Sequence, residues 1–307
     1  MKFSFFKTKQ SCFLSLVLAA VVLTSGCGIS KGKTEAKDII ILYTNDVHCA
    51  VDNEIGYAGL AAYKTWCGKK TPYVTLVDCG DALQGDVIGT ISQGEYPVEI
   101  MNRVGYDFAV LGNHEFDYGM ERLSELLKQS KTKYLGCNIR YTGSDKTFLS
   151  QLAAYEVAAY GDVKVGFIGV STPESISKSV PSFFCDETGN YVYDFYGESG
   201  EELYQCVQEN VDACLEDGAD YVVVLAHLGT DEASSPFTST DLIANTNGID
   251  VLLDGHSHSV ISCDVVKNVD GGNVLLSSTG TGLANIGCLT ITADGNMQTG
   301  LIGDYPE

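Results

Sequence analysis

Short, mostly apolar runs that stop abruptly at polar residues recur along this chain. Residues 39–43 (Ile-Ile-Ile-Leu-Tyr) run into Asn45-Asp46-Val47-His48, residues 73–77 into Asp78-Cys79-Gly80-Asp81, and residues 106–111 into Gly112-Asn113-His114. Residues 221–226 end at His227, and residues 249–253 end at Asp254-Gly255-His256-Ser257-His258. Runs of this length and composition predict buried strands. Between them the apolar spacing turns helical. A helix is expected over 57–67, another over 96–104 with Pro97 in its first turn, a third carrying Met120, Leu123, Leu126 and Leu127, and a fourth carrying Leu203, Val207, Val211 and Leu215 with Gly218 as its stop. Further strands are expected at 133–137, 265–266, 274–276 and 286–291. A hairpin is expected from 155–159 and 163–170 about Tyr160-Gly161-Asp162. Residues 140–150 read as a polar loop, and residues 171–199 as loop-rich, their aromatics serving as packing. The pattern predicts an α/β protein.

Composition adds limits. At 307 residues, 45% of them hydrophobic and 33 of them glycine, the chain can bury a large core in one α/β domain or two smaller ones. Its net charge is -21. A duplex nucleic acid is therefore a poor partner, because such binders present a basic face. An acidic surface also repels phosphate substrates, so any phosphate chemistry needs bound cations to supply local positive charge. The 11 cysteines form no CxxC pair. Most sit in apolar runs, where Cys behaves as a small hydrophobe; a minority pairing as disulfides is the alternative.

Residues 1–26 carry Lys2, Lys7 and Lys9, then an apolar core over 13–23, then Thr24-Ser25-Gly26 before Cys27. This reads as an export signal. Small residues before a cysteine resemble a bacterial lipoprotein processing site, which implies lipidation of Cys27 and a membrane-anchored protein facing outside the cytoplasm. Thr24, where Leu is usual, is the departure from that pattern. Residues 27–37 are a small, polar tether, leaving 38–307 as the catalytic domain.

The chain has 5 histidines, and each lies at the end of a strand-like run: His48, His114, His227, His256 and His258. A single such histidine is more often structural than a ligand. Five sorted alike, with Asp46, an acid of the Asp78-to-Asp81 turn and Asn113 at equivalent places, predict a metal site. In Asp46-x-His48 the alternation of an extended chain puts both side chains on one side. By composition Asp78 and Asp81 serve equally well. Oxygen and imidazole donors without thiolate suit Zn, Mn, Fe, Co or Ni better than Ca. There are more ligands than one four-coordinate ion needs, so two divalent ions are expected. His114 offers a proton carrier, and Asp117, three residues on, can orient it.

The ordered set D-x-H, G-D, G-N-H-E, H and G-H-x-H over 38–295 resembles the calcineurin-like metallophosphatases. Asp117 and the run at 84–94 are similar to the 5′-nucleotidase and cyclic-phosphodiesterase branch. The resemblance implies a four-layer α/β/β/α sandwich. It favours Asp81 over Asp78, and implies that Asp46, His48, Asp81 and His258 hold one ion while Asp81, Asn113, His227 and His256 hold the other. It also implies that His114, paired with Asp117, is catalytic. Expected chemistry is hydrolysis of a nucleotide or other phosphate ester by a metal-activated hydroxide. Two departures stand out. Cys49 follows His48 where a small residue is usual; an inert thiol is expected. Proteins of this branch usually continue into a second domain that holds the nucleotide, so a separate partner domain is an expectation too. A metal-binding lipoprotein module, inactive alone, is the rival reading, although such a module has no need of His114 and Asp117.

Overall fold

Alternation along the strands sorts the apolar side chains into three separate cores, and these define the architecture. In the computed structural model, which describes residues 37–144, 149, 152–197 and 199–303, β1 (Ile39–Thr44) is buried on both faces. Ile40 and Leu42 face one core and Ile39, Ile41 and Tyr43 another, as the two-residue period of a strand requires. The signal-like segment, Cys27 and the tether to residue 36 lie outside the described residues.

β1 pairs in parallel with β2 (Val74–Asp78), which is followed by β3 (Phe108–Val110) and β4 (Lys133–Leu135) in the same sense. Next in the chain come β5 (Ile139–Tyr141), the hairpin β6 (Tyr155–Tyr160) and β7 (Val163–Ser171), β8 (Tyr193–Phe195), β9 (Tyr221–His227), β10 (Val251–Asp254), β11 (Val260–Lys267), β12 (Asn273–Thr279), β13 (Ile286–Ile291) and β14 (Met297–Ile302). One six-stranded sheet has the order β14-β13-β1-β2-β3-β4 and a second the order β11-β12-β10-β9-β7-β6. In the second, β7, β9, β10 and β12 are parallel.

Val165, Phe167, Val223, Leu225, Val251 and Leu253 of the second sheet pack with Ile41, Val77 and Val110 of the first in a core between the sheets. Outside the first sheet lie α1 (Gly56–Lys70), α3 (Glu95–Val104) and α4 (Met120–Gln129), packing Leu60, Met101 and Leu126 onto it. The short α2 (Val87–Ser92) precedes α3. Outside the second sheet, α6 (Gly200–Glu216) and α7 (Ser239–Ala244) bury Leu203, Val207, Val211, Leu242 and Ile243. The four-layer α/β/β/α sandwich is thus present. Truncating any of these fully buried Leu or Ile side chains to Ala removes about 2–5 kcal/mol.

The structure corrects several element boundaries. Residues 140–141, read as the start of a polar loop, belong to the strand β5, which pairs antiparallel with β8 inside the segment read as loop-rich. That segment also holds the one-turn α5 (Ser175–Lys178). Its aromatics divide: Phe184, Tyr193 and Phe195 are buried, whereas Phe183, Tyr191 and Tyr196 are exposed. β11 extends well beyond 265–266; as a largely exposed edge strand it lacks an apolar pattern. The helices α2 and α7 and the strand β14 carried too little apolar periodicity to be anticipated.

Candidate metal centre

Every candidate ligand sits where a parallel strand ends. β1 delivers Asp46 and His48, β2 delivers Asp81, β3 delivers Asn113 and His114, β9 ends in His227, and β10 precedes His256 and His258. Loops beyond the carboxyl ends of parallel strands are where open α/β sheets place ligands. Here two sheets contribute to one point.

At its floor, Asp46, Asp81 and His227 are fully enclosed. His227 Nε2 lies 3.1 Å from Asp81 Oδ2 and 3.9 Å from Asp46 Oδ1, yet it has no aligned hydrogen-bond partner. Its Nδ1 donates to the Cys79 carbonyl at 2.7 Å, so Nε2 is the nitrogen left to offer a lone pair to an ion. Nearer the mouth, His48 Nδ1 donates to the Gln84 carbonyl at 3.1 Å, and its Nε2 faces His258 Nε2 at 3.1 Å. His258 Nε2 is also 3.4 Å from Asp46 Oδ1. Two groups of potential ligands, Asp46–His48–His258 and Asp46–Asp81–His227, therefore each converge on a point.

Asn113 is buried and its Oδ1 has no hydrogen-bond partner. An unpaired buried oxygen is costly unless something ligates it. His256 joins by its backbone: its N–H donates to both Asp46 oxygens, at 3.2 and 3.0 Å, and its ring lies 5.1 Å from that of His227. Asp78 stays apart. It accepts from Thr44 Oγ1 at 2.6 Å and Gly80 N at 3.0 Å, locking the turn rather than joining the cluster.

The electrostatics demand positive charge. Burial alone would lower His227, but Asp81 and then Asp46 hold it up at about 10. Burial alone would raise Asp81, yet His227, His114 and His48 hold its carboxyl below the usual range. Burial lowers both His48 and His256. Orphaned Asn113 Oδ1 and His227 Nε2, two buried carboxylates and inward-facing Nε2 atoms make a donor set that fits divalent transition ions.

Beside the cluster, His114 Nδ1 bonds Asp117 Oδ2 at 2.6 Å, and this contact raises the imidazole pKa. Ser179 Oγ donates to the other Asp117 oxygen at 2.8 Å. The His114 ring is 5.3 Å from that of His48. Cys49 is buried, its thiol donating to the Ala82 carbonyl at 3.4 Å, and burial pushes it up to about 12; a thiol so placed is not a nucleophile at neutral pH.

Sequence reasoning missed four supporting residues. Glu115 is buried and accepts from four backbone N–H groups, those of Asp81, Ala82, Leu83 and Gly112, at 2.7–3.1 Å. Asn45 donates to Asp46 Oδ2 at 2.6 Å and ties it to Thr279 and Gly280. Ser179 and Glu174 come from the loop-rich segment, where no apolar pattern marks a position. Glu115, an acid directly after His114 in a strand-end loop, was the most findable of the four.

Comparison with known proteins bears on this geometry. A family model described as calcineurin-like phosphoesterase matches residues 39–260. A snake venom 5′-nucleotidase from Gloydius brevicauda is 29% identical over 263 residues, 81% of this chain and 41% of that protein. The 5′-nucleotidase of Bos taurus is 31% identical over 241 residues, 73% of this chain and 38% of that protein. The chain thus spans about two fifths of the length of these curated relatives. Among solved structures, a 5′-nucleotidase precursor from Thermus thermophilus superposes with a TM-score of 0.70 at 26% identity, covering 86% of this chain and 54% of that one.

Proposed function

Because the chain belongs to the calcineurin-like phosphoesterase family, we propose that it is a two-metal hydrolase of phosphate monoesters whose substrates are nucleotides. The observation that carries this reading is the meeting of Asp46, His48, Asp81, His227 and His258 beside the hydrogen-bonded pair His114–Asp117. Asp46, His48, Asp81 and His258 would hold one ion, and Asp81, Asn113, His227 and His256 the other. Bound there, such ions would polarise the ester and make a hydroxide available at neutral pH.

The chain's own groups do the rest. His48 and His227 are held in one tautomer by backbone carbonyls, so their Nε2 atoms stay aimed inward. Asp117 accepts a hydrogen bond from His114 Nδ1–H and favours the imidazolium, which leaves Nε2–H as the group that gives its proton to the departing alkoxide. Asp117 is itself fixed by Ser179. Nucleotides are the proposed substrates because the 5′-nucleotidases are the relatives that match over most of this chain. Export and lipidation of Cys27 belong to the same reading, which puts the enzyme where extracellular nucleotides are dephosphorylated.

The test is phosphate release from nucleoside 5′-monophosphates, 2′,3′-cyclic nucleotides and p-nitrophenyl phosphate by purified protein supplied with Mn2+ or Zn2+. Metal-dependent release from a 5′-monophosphate, abolished by a chelator, is expected. Turnover of simple esters without nucleotides removes the substrate assignment, and no turnover of any ester removes the enzyme.

A further inference from the structure

Three of the site histidines have one ring nitrogen committed to an acceptor. His48 Nδ1 faces the Gln84 carbonyl, His227 Nδ1 the Cys79 carbonyl and His114 Nδ1 a carboxylate oxygen of Asp117. A carbonyl can only accept, so in His48 and His227 that nitrogen bears a proton and the other is the one able to offer a lone pair to an ion. His256 is turned the other way. Its Nε2 lies 3.5 Å from Glu174 Oε2.

Glu174 comes from a place equivalent to the ligands. It follows the exit of β7, a parallel strand whose last residue, Ser171, is in register with His227. Its Oε2 is buried and without a hydrogen-bond partner. A carboxylate oxygen removed from water needs a donor, and the donor it faces is His256. His256 also holds a left-handed backbone, at φ 78°, so its ring is presented by a constrained loop and needs a fixed orientation.

We propose that Glu174 is a positioning residue that accepts the Nε2 proton of His256, fixing the tautomer whose Nδ1 lone pair is offered to a divalent ion. The inference rests on the two-ion reading above. Carboxylates behind metal-binding histidines orient the ring and raise its basicity, and losing one weakens metal affinity about 10- to 100-fold. Glu174 does not itself ligate the ion, and this separates it from Asp46 and Asp81.

The experiment uses the full chain with Glu174→Ala and Glu174→Gln. Calorimetric titration with Mn2+ should show two ions in the unaltered protein. In Glu174→Ala one of them should bind about 10- to 100-fold more weakly while the other is unchanged. Glu174→Gln, which keeps an acceptor oxygen, should recover most of that loss. Long-range 1H–15N spectra of the metal-free protein near neutral pH should show His256 protonated at Nε2, and mixed tautomers in Glu174→Ala; a His256→Gln variant gives the assignment. Equal affinity for both ions in Glu174→Ala overturns the proposal. Equal damage in both variants makes Glu174 a direct ligand and overturns it too, as does weakening of both ions together with a lowered Tm of the metal-free protein. If the unaltered protein binds no pair of ions, the two-ion reading fails, and the spectra still decide the Glu174–His256 bond.

Discussion

Asp46, His48, Asp81, His256 and His258 all hold positive φ, between 49° and 78°. Each such non-glycine residue costs on the order of 1–3 kcal/mol, so the surroundings must over-determine them. Glu115 does so for Asp81, since its carboxylate collects the N–H groups of residues 81 to 83. At this scale the roles divide cleanly. His114→Ala should lower kcat by about 10²–10⁴ while metal analysis still finds the ions, because His114 Nδ1 is engaged with Asp117 and not with the cluster; unchanged turnover would remove its role. His227 gives a pH dependence. Its folded-state pKa of about 10 lies above its ordinary value, so at lower pH a bound ion must displace a proton, and the competition fades only as pH rises towards 10. Apparent affinity should therefore climb by about tenfold per pH unit from pH 7 to 9. Titrations in buffers of different ionisation enthalpy should count about one proton released as the site that His227 lines is filled; affinity flat with pH would contradict the assignment.

At the scale of elements, the strand ends are what the sequence exposes best. A run such as residues 221–226 is nearly all apolar because both faces of a parallel strand are covered, and the polar residue that ends it is therefore conspicuous. This made Asp46, His48, Asp81, Asn113 and His227 legible before any coordinates. Asp81 was separated from Asp78 only by the family pattern, and the structure gives the physical reason: Thr44 and Gly80 already occupy Asp78. Glu174 and Ser179 were not legible, since β7 exits into a segment without apolar periodicity and their contacts join residues 82 and 62 positions apart. Short and edge elements failed for the same reason, as with β11 and β14. One substitution tests how closely the loops are fitted. A Cβ on Gly112 would stand 2.2 Å from Asp81 Oδ1 and 2.7 Å from its backbone N. Gly112→Ala should therefore destabilise the protein by about 1–3 kcal/mol and weaken metal binding together, read by denaturant melts and metal titration. Loss of stability with intact binding would show that Asp81 yields without consequence.

For the whole molecule, two sheets with separate outer cores share one inner core, and the candidate site lies where the parallel strands of both run out. Asp46 and Asp81 come from one sheet and His227, His256 and His258 from the other, so a bound pair of ions would tie the sheets together beyond their apolar contact. The most direct measurement is the anomalous scattering of Mn2+ in crystals of the loaded protein. Two peaks about 3.5–4 Å apart, with Asp81 between them, are expected. A single peak, peaks elsewhere, or a pair that Asp81 does not touch would contradict the account.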